Sequence, residues 1–212
     1  MLRRGSEDDT SDGAGGSDRD DKQDGADGYY DAIAPGYDRL HEEEQQEKLG
    51  VIRDLLKGSF MDDGPITPSS ILDVGCGTGI GCLLFPGTPY HGVDTSVGML
   101  DQARKRFALR VADNSAVFSH RPAEQLPFGD EEFPLVISIS AVQNFDDLDK
   151  GLAEIARVCS DIAVITVPKG GRTAEILLPA IERFFKPEKI VKQRHDLVVL
   201  AKKSVTDHGR DI

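Results

Sequence analysis

The chain lacks long apolar runs, cysteine pairs and basic charge. No apolar run approaches the ~18 residues that a bilayer-crossing helix needs, so no membrane insertion is expected. The opening MLRRGSEDDT has no apolar stretch behind its arginines, so it does not read as a secretory signal, and the expected compartment is the cytoplasm. Cys76, Cys82 and Cys159 make an odd count without a CxxC pair, which points away from a disulfide framework and from a zinc site. His41, His91, His120 and His195 show no ligand spacing either, so no metal is expected. The formal charge of −12 argues against unaided capture of nucleic acid, whose affinity rests largely on Lys and Arg. Lys186 to Arg194 is a basic cluster. Aspartates outnumber both glutamates and lysines, a bias that would suit a hydrated acidic surface in a high-salt organism.

What is present suits a tail and one domain. Residues 1–28 hold nine acids against four bases, with Met1 and Leu2 as the only strongly apolar side chains. Such a segment cannot bury enough surface to offset its ordering entropy, so it is expected to be disordered. Composition changes at Tyr29, and residues 29–205 read as a single domain followed by a short tail, 206–212. Within it, strand-like and helix-like patterns alternate. Glu42 to Lys57 carries Leu49, Ile52, Leu55 and Leu56 on one helical stripe. Ser70 to Val74 is a strand that ends in a glycine loop, and Tyr90 to Val93 is a second strand. Val97 to Ala108 is a helix with Ser96 as its N-cap. Ala116 to Ser119 and Leu135 to Ser140 are further strands. Asp146 or Asp147 caps a helix burying Leu148, Leu152 and Ile155. After a strand at Ile162 to Val167, a helix spans Thr173 to Phe185. Two strands near Ile190 to Gln193 and Leu197 to Ala201 face each other as an antiparallel hairpin. The alternation predicts an α/β fold: a seven-stranded, mostly parallel sheet with helices on both faces. Ligands of such sheets sit at the C-terminal strand ends, where strand order reverses.

The strongest motif is ILDVGCGTG, Ile71 to Gly79. Gly75, Gly77 and Gly79 at a strand-to-helix turn let the backbone take positive φ and approach a ligand. A phosphate-binding loop would need GxxxxGK[ST], and no lysine follows these glycines. A dinucleotide fingerprint would need a third glycine where Ile80 stands. What remains is an adenosine-bearing ligand without a pyrophosphate, with Asp73 facing a cationic or hydroxyl group. S-adenosylmethionine (SAM) has that character. Asp94, at the end of the next strand, is placed to accept hydrogen bonds from ribose hydroxyls, a device that nicotinamide enzymes share.

On these residues the sequence resembles the class I SAM-dependent methyltransferases. LDVGCGTG resembles their first motif, GVDTSVGMLDQAR the second strand and helix, and RPAEQLPFGDEEFPLV the segment before the fourth strand. YYDAIAPGYDRL is similar to the segment preceding the fold in the ubiquinone and menaquinone subgroup. The resemblance covers about residues 29–202 and implies a Rossmann-like methyltransferase domain with SAM as cofactor. It implies that Asp73 and the loop Gly75, Cys76, Gly77 and Gly79 bind the methionine end, and that Asp94 binds the ribose. Thr95 and Met99 would flank the adenine, Ala123 and Glu124 would lie at its edge, Ser138 would begin the floor, and Tyr37, with Tyr30, would cover the methionine carboxylate. Pro122 and Pro134 stand where the family usually has Asp: at Pro122 the contact to the adenine amino group falls to the backbone of Ala123, while Pro134 bears on the entry to the fourth strand.

Methyl transfer from a sulfonium is an in-line displacement, in which the protein mainly positions the nucleophile. Ser140, Gln143 and Asn144 are the candidates to face the acceptor, the last two standing where many small-molecule members carry histidines. Three functions stay open: a methyltransferase acting on a small molecule, one acting on RNA or protein, and a non-catalytic SAM-binding subunit. ISISAVQ is similar to a segment of the small-subunit ribosomal RNA guanine-N7 methyltransferases. That resemblance implies a substrate in the translation machinery and a small zinc-binding activator protein paired with the edge strand, here Ala116 to Ser119.

Overall fold

The computed structural model describes residues 20–59, 67–170 and 172–203. Seven strands form one sheet: β1 (Ile71–Val74), β2 (Tyr90–Asp94), β3 (Ala116–His120), β4 (Phe133–Ser138), β5 (Cys159–Pro168), β6 (Phe185–Lys192) and β7 (Asp196–Lys203). Their order is β3-β2-β1-β4-β5-β7-β6. The first five run parallel, while β7 is antiparallel to both β5 and β6. The expected sheet and its C-terminal hairpin are therefore present, and β3 is an edge as expected. From β1 the chain steps outward through β2 and β3, then returns to β4 on the other side of β1. That reversal opens a crevice at the C-terminal ends of β1, β2 and β4.

Among the described residues, five α-helices flank the sheet: α1 (Asp20–Ser59), α2 (Val97–Arg106), α3 (Ala108–Ala112), α4 (Leu148–Val158) and α5 (Thr173–Glu182). Alternating strand residues feed two cores. Leu49, Ile52 and Leu56 of α1 and Leu100 and Ala103 of α2 pack with Ile71, Leu135 and Ile137. Leu152 and Ile155 of α4 and Leu177 and Ile181 of α5 pack with Leu72, Val74 and Val136. β1 is buried along its whole length, as a central parallel strand must be. No helix among the described residues is long and apolar enough to cross a membrane.

Strands β4 and β5 start two to three residues earlier than expected, and three differences in the element boundaries bear on the fold. Helix α1 begins at Asp20, inside the segment expected to be a disordered tail, and runs through Pro35; the rest of that tail, residues 1–19, lies outside the described residues, as do 204–212. Helix α2 stops at Arg106 because Phe107 turns to φ −108°, ψ 33°, and α3 follows separately. Helix α5 ends at Glu182, and β6 starts at Phe185 rather than near Ile190. Phe184 and Phe185 extend an apolar helical stripe in sequence, but Phe185 is buried as the first residue of an edge strand. Pro187 sits there at a register shift, where a residue lacking an N–H is tolerated.

Candidate functional site

The crevice above β1, β2 and β4 is a cleft of about 1130 Å³, its open mouth included. Its floor is the turn after β1. Gly75, Gly77 and Gly79 all hold positive φ, of 74°, 52° and 77°. A Cβ on Gly75 would lie 2.3 Å from that of Ala141, and one on Gly79 would strike the Phe118 ring at 2.8 Å. Nothing lies within 4 Å of the corresponding point on Gly77. Gly75 and Gly77 line the cleft, so Gly77 presents bare backbone to open space.

Asp73 also lines the cleft and is buried to 1% exposure. Tyr90 Oη donates to its Oδ2 at 2.6 Å, and its Oδ1 has no hydrogen-bond partner. Burial pushes its carboxyl up to about 7, the Asp94 charge adding to this and the Tyr90 hydrogen bond opposing it. An orphaned, buried carboxylate oxygen is costly unless a donor or cation meets it. Asp94, at the end of β2, is held from two sides: Gly77 N donates to Oδ2 at 2.7 Å and Ser96 N to Oδ1 at 2.8 Å. Ser96 caps α2 by accepting from Met99 N at 3.1 Å. Met99 and Thr95 line the same wall, and His120 Nε2 donates to the Thr95 carbonyl at 2.9 Å.

Across the cleft stand Ala123, Glu124, Ser140, Asn144 and, from α1, Tyr30 and Tyr37. Glu124 Oε1 accepts from Asp147 N at 3.1 Å, which ties this wall to the cap of α4. Ser140 has φ 56°, an uncommon value for a residue with a Cβ. It is fixed there because its N–H donates to Thr166 Oγ1 at 2.6 Å and its carbonyl accepts from Gln143 Nε2 at 2.7 Å. Asn144 Nδ2 donates to Tyr30 Oη at 3.1 Å.

Of the residues singled out from sequence, three stand off the cleft wall. Ser138 is fully buried and its hydroxyl donates to the Val74 carbonyl at 2.8 Å, so it ties β4 to β1 instead of forming a floor. Gln143 is exposed and braces Ser140 from behind. Gly79 packs against Phe118. Tyr37, Asp73, Gly75, Cys76, Gly77, Asp94, Thr95, Met99, Ala123, Glu124, Ser140 and Asn144 all line it. Sequence reading missed Gln45 and Lys48. Gln45 lines the cleft, and Lys48, 2% exposed, donates to Ser140 Oγ at 2.6 Å. In sequence both belong to the polar run EEEQQEK, which reads as a solvated helix face.

Residues 72–165 match a family described as the methyltransferase domain. The stretch from β1 to β5 thus matches a methyltransferase domain. Over 133 residues the chain is 31% identical to a demethylmenaquinone methyltransferase of Bacteroides fragilis, a match that takes in 61% of this chain and 53% of the relative. The chain therefore spans about half the length of that relative. In fold it is similar to the magnesium protoporphyrin IX methyltransferase of Synechocystis PCC 6803, solved with bound SAM, at a TM-score of 0.67 and 17% identity, covering 89% of this chain and all of the other. It is also similar to a chain in a Haloferax volcanii complex between the Trm112 methyltransferase activator and a methyltransferase, at a TM-score of 0.62 and 16% identity, covering 82% of this chain and 97% of that one. The cofactor of such a domain is SAM, and two features of this cleft fit it. The orphaned Oδ1 of Asp73 suits an ammonium, and the bare backbone at Gly77 leaves room that a side chain would fill.

Proposed function

We propose that this chain binds SAM in the cleft and transfers its methyl group to an acceptor that enters between Ser140 and Asn144. The observation that carries the reading is Asp73: a buried carboxylate with an unpartnered oxygen, beside a glycine that leaves the cleft open. Asp73 holds the ammonium of the methionine end, and the Gly75–Gly77 backbone lies beneath it. Asp94, its two oxygens already aimed by Gly77 and Ser96, accepts from the ribose hydroxyls. Thr95 and Met99 lie against the base, with the Ala123 backbone at its edge. When bound, SAM supplies an electrophilic methyl on a sulfonium. Tyr30 and Tyr37 cover the cleft from α1 and exclude water, while Ser140 and Asn144 orient the acceptor. The first test is calorimetry with SAM and S-adenosylhomocysteine, followed by transfer of labelled methyl to fractionated small molecules, RNA and protein. Binding without transfer to any fraction would leave a SAM-binding subunit; no binding would sink the reading.

A second reading adds a small activator protein on the edge strand. β3 presents an open edge, and Val117 on it is 38% exposed. The Haloferax volcanii neighbour is a methyltransferase held in a complex with an activator. Pairing would extend the sheet and cover that apolar side chain. Co-expression with a candidate activator tests it: a stable complex that Val117→Asp disrupts supports the pairing, and full activity of the chain alone refutes the need for it.

A further inference from the structure

A buried ammonium stands behind the acceptor side of the cleft. Lys48 of α1 is 2% exposed and touches Glu44 Oε1 at 3.1 Å, Asp196 Oδ2 at 2.6 Å and Ser140 Oγ at 2.6 Å. An ammonium donates and has no lone pair, so in the Lys48–Ser140 hydrogen bond Ser140 Oγ must accept. The hydroxyl proton of Ser140 is thereby turned away from Lys48, and no described residue accepts it. Ser140 lines the cleft and is held at positive φ by Thr166 and Gln143. Strained backbone of this kind persists only where its surroundings impose it, and it clusters at functional sites.

One turn before Lys48, Gln45 lines the same cleft, is 8% exposed, and its Oε1 has no partner. A donor hydroxyl and an unpaired amide oxygen thus line the same cleft. Their ligand must bring a lone pair for Ser140 and an N–H or O–H for Gln45. Charge narrows the choice. Around Lys48 two carboxylates face one ammonium, and His41 and His195 lie near Glu44. The cleft wall carries Asp73, Asp94, Glu124 and Asp146 against Arg121. An anionic acceptor group would meet this field unfavourably.

We propose that Ser140 and Gln45 form the acceptor subsite, with Lys48 as the residue that positions Ser140. It takes a neutral group with a lone-pair oxygen beside an N–H or O–H, an amide or a phenolic hydroxyl, and rejects carboxylates and phosphates. This rests on the methyltransferase reading above.

The test uses the full chain saturated with S-adenosylhomocysteine and three probes of one shape: benzamide, phenol and benzoate. Benzamide or phenol is expected to bind at least about tenfold more tightly than benzoate, and whichever binds better names the class. Ser140→Ala and Gln45→Leu should each weaken that probe by about tenfold, the worth of one hydrogen bond to a buried group, with S-adenosylhomocysteine affinity unmoved. Lys48→Met should do the same in the wild-type background and add nothing in the Ser140→Ala background, because it acts through that hydroxyl. A purely structural lysine would instead add its effect, which would overturn its positioning role. If Lys48→Met does not fold, the Ser140→Ala and Gln45→Leu results decide. Benzoate binding as tightly as the neutral probes, no probe binding to the S-adenosylhomocysteine complex, or unmoved affinity in Ser140→Ala would each overturn the subsite. Failure of S-adenosylhomocysteine to bind the wild type would instead overturn the reading beneath it.

Discussion

The two walls of the cleft are built differently. The donor wall is made of short-range sequence: Asp73, Gly75, Gly77 and Asp94 fall within about twenty residues, on two adjacent parallel strands and the turn between them. Asp94 is set by two backbone donors and Asp73 by the Tyr90 hydroxyl, so little has to move when a ligand arrives. The acceptor wall is assembled from distant segments. Lys48 reaches Ser140 across 92 positions, and Asn144 reaches Tyr30 across 114. On the proposed function, binding of the donor is thus written into one local motif, while acceptor choice depends on how α1 lies across the sheet.

Changes to the donor wall should have the largest effects. Gly77→Arg places a side chain in open cleft and needs φ near 52°, which costs a residue with a Cβ about 1–2 kcal/mol. SAM affinity should fall by roughly a hundredfold or more, read by calorimetry, while the apolar core remains packed. Asp94→Ala removes the proposed ribose acceptor and strands two backbone N–H groups, so affinity should drop roughly ten- to a hundredfold. An effect confined to the acceptor side in either variant would break the division between the walls.

Asp73 sharpens it through pH. Its folded-state carboxyl titrates near 7, above the ordinary value of about 3.9. Binding a cation requires the ionised form, so SAM affinity should weaken by about tenfold from pH 8 to pH 6, with a proton released on binding at pH 6. Stability of the free chain has the opposite sign. The folded state holds this proton between about pH 4 and 7, where the unfolded chain has lost it, so stability declines across that window as pH rises and levels off above it. Asp73→Asn should remove both trends, raising the melting temperature at pH 8 while weakening SAM binding. The smallest change should follow Ser96→Ala. It removes the cap of α2 and the 2.5 Å contact to Asp31, at about 1 kcal/mol of stability, read by denaturant unfolding.

The same contrast explains what could be read from the sequence. The parallel strands, the glycine loop and Asp94 announce themselves through apolar runs and fixed spacing, and the structure brings Asp73, Gly77 and Asp94 to one cleft. Ser138 misled because its position at the end of β4 matches a family pattern, whereas its hydroxyl is spent on the Val74 carbonyl. Lys48 carries no sequence signal, since burial of a charge depends on partners such as Asp196 that only the fold supplies. Helix α1 is longer than its sequence pattern predicts, because Pro35–Gly36 punctuates it and its apolar stripe begins only at Leu49. Its earlier part is fastened by tertiary contacts, Asp31 accepting from Ser96 Oγ and, at 2.8 Å, from Gly98 N.

The most direct measurement is a calorimetric titration of S-adenosylhomocysteine into the wild type and into Gly77→Arg at pH 8. A single saturable site in the wild type, lost in a variant that still unfolds cooperatively, is the expected result. No heat in the wild type, or an unchanged isotherm in the variant, would contradict the assignment of the cleft.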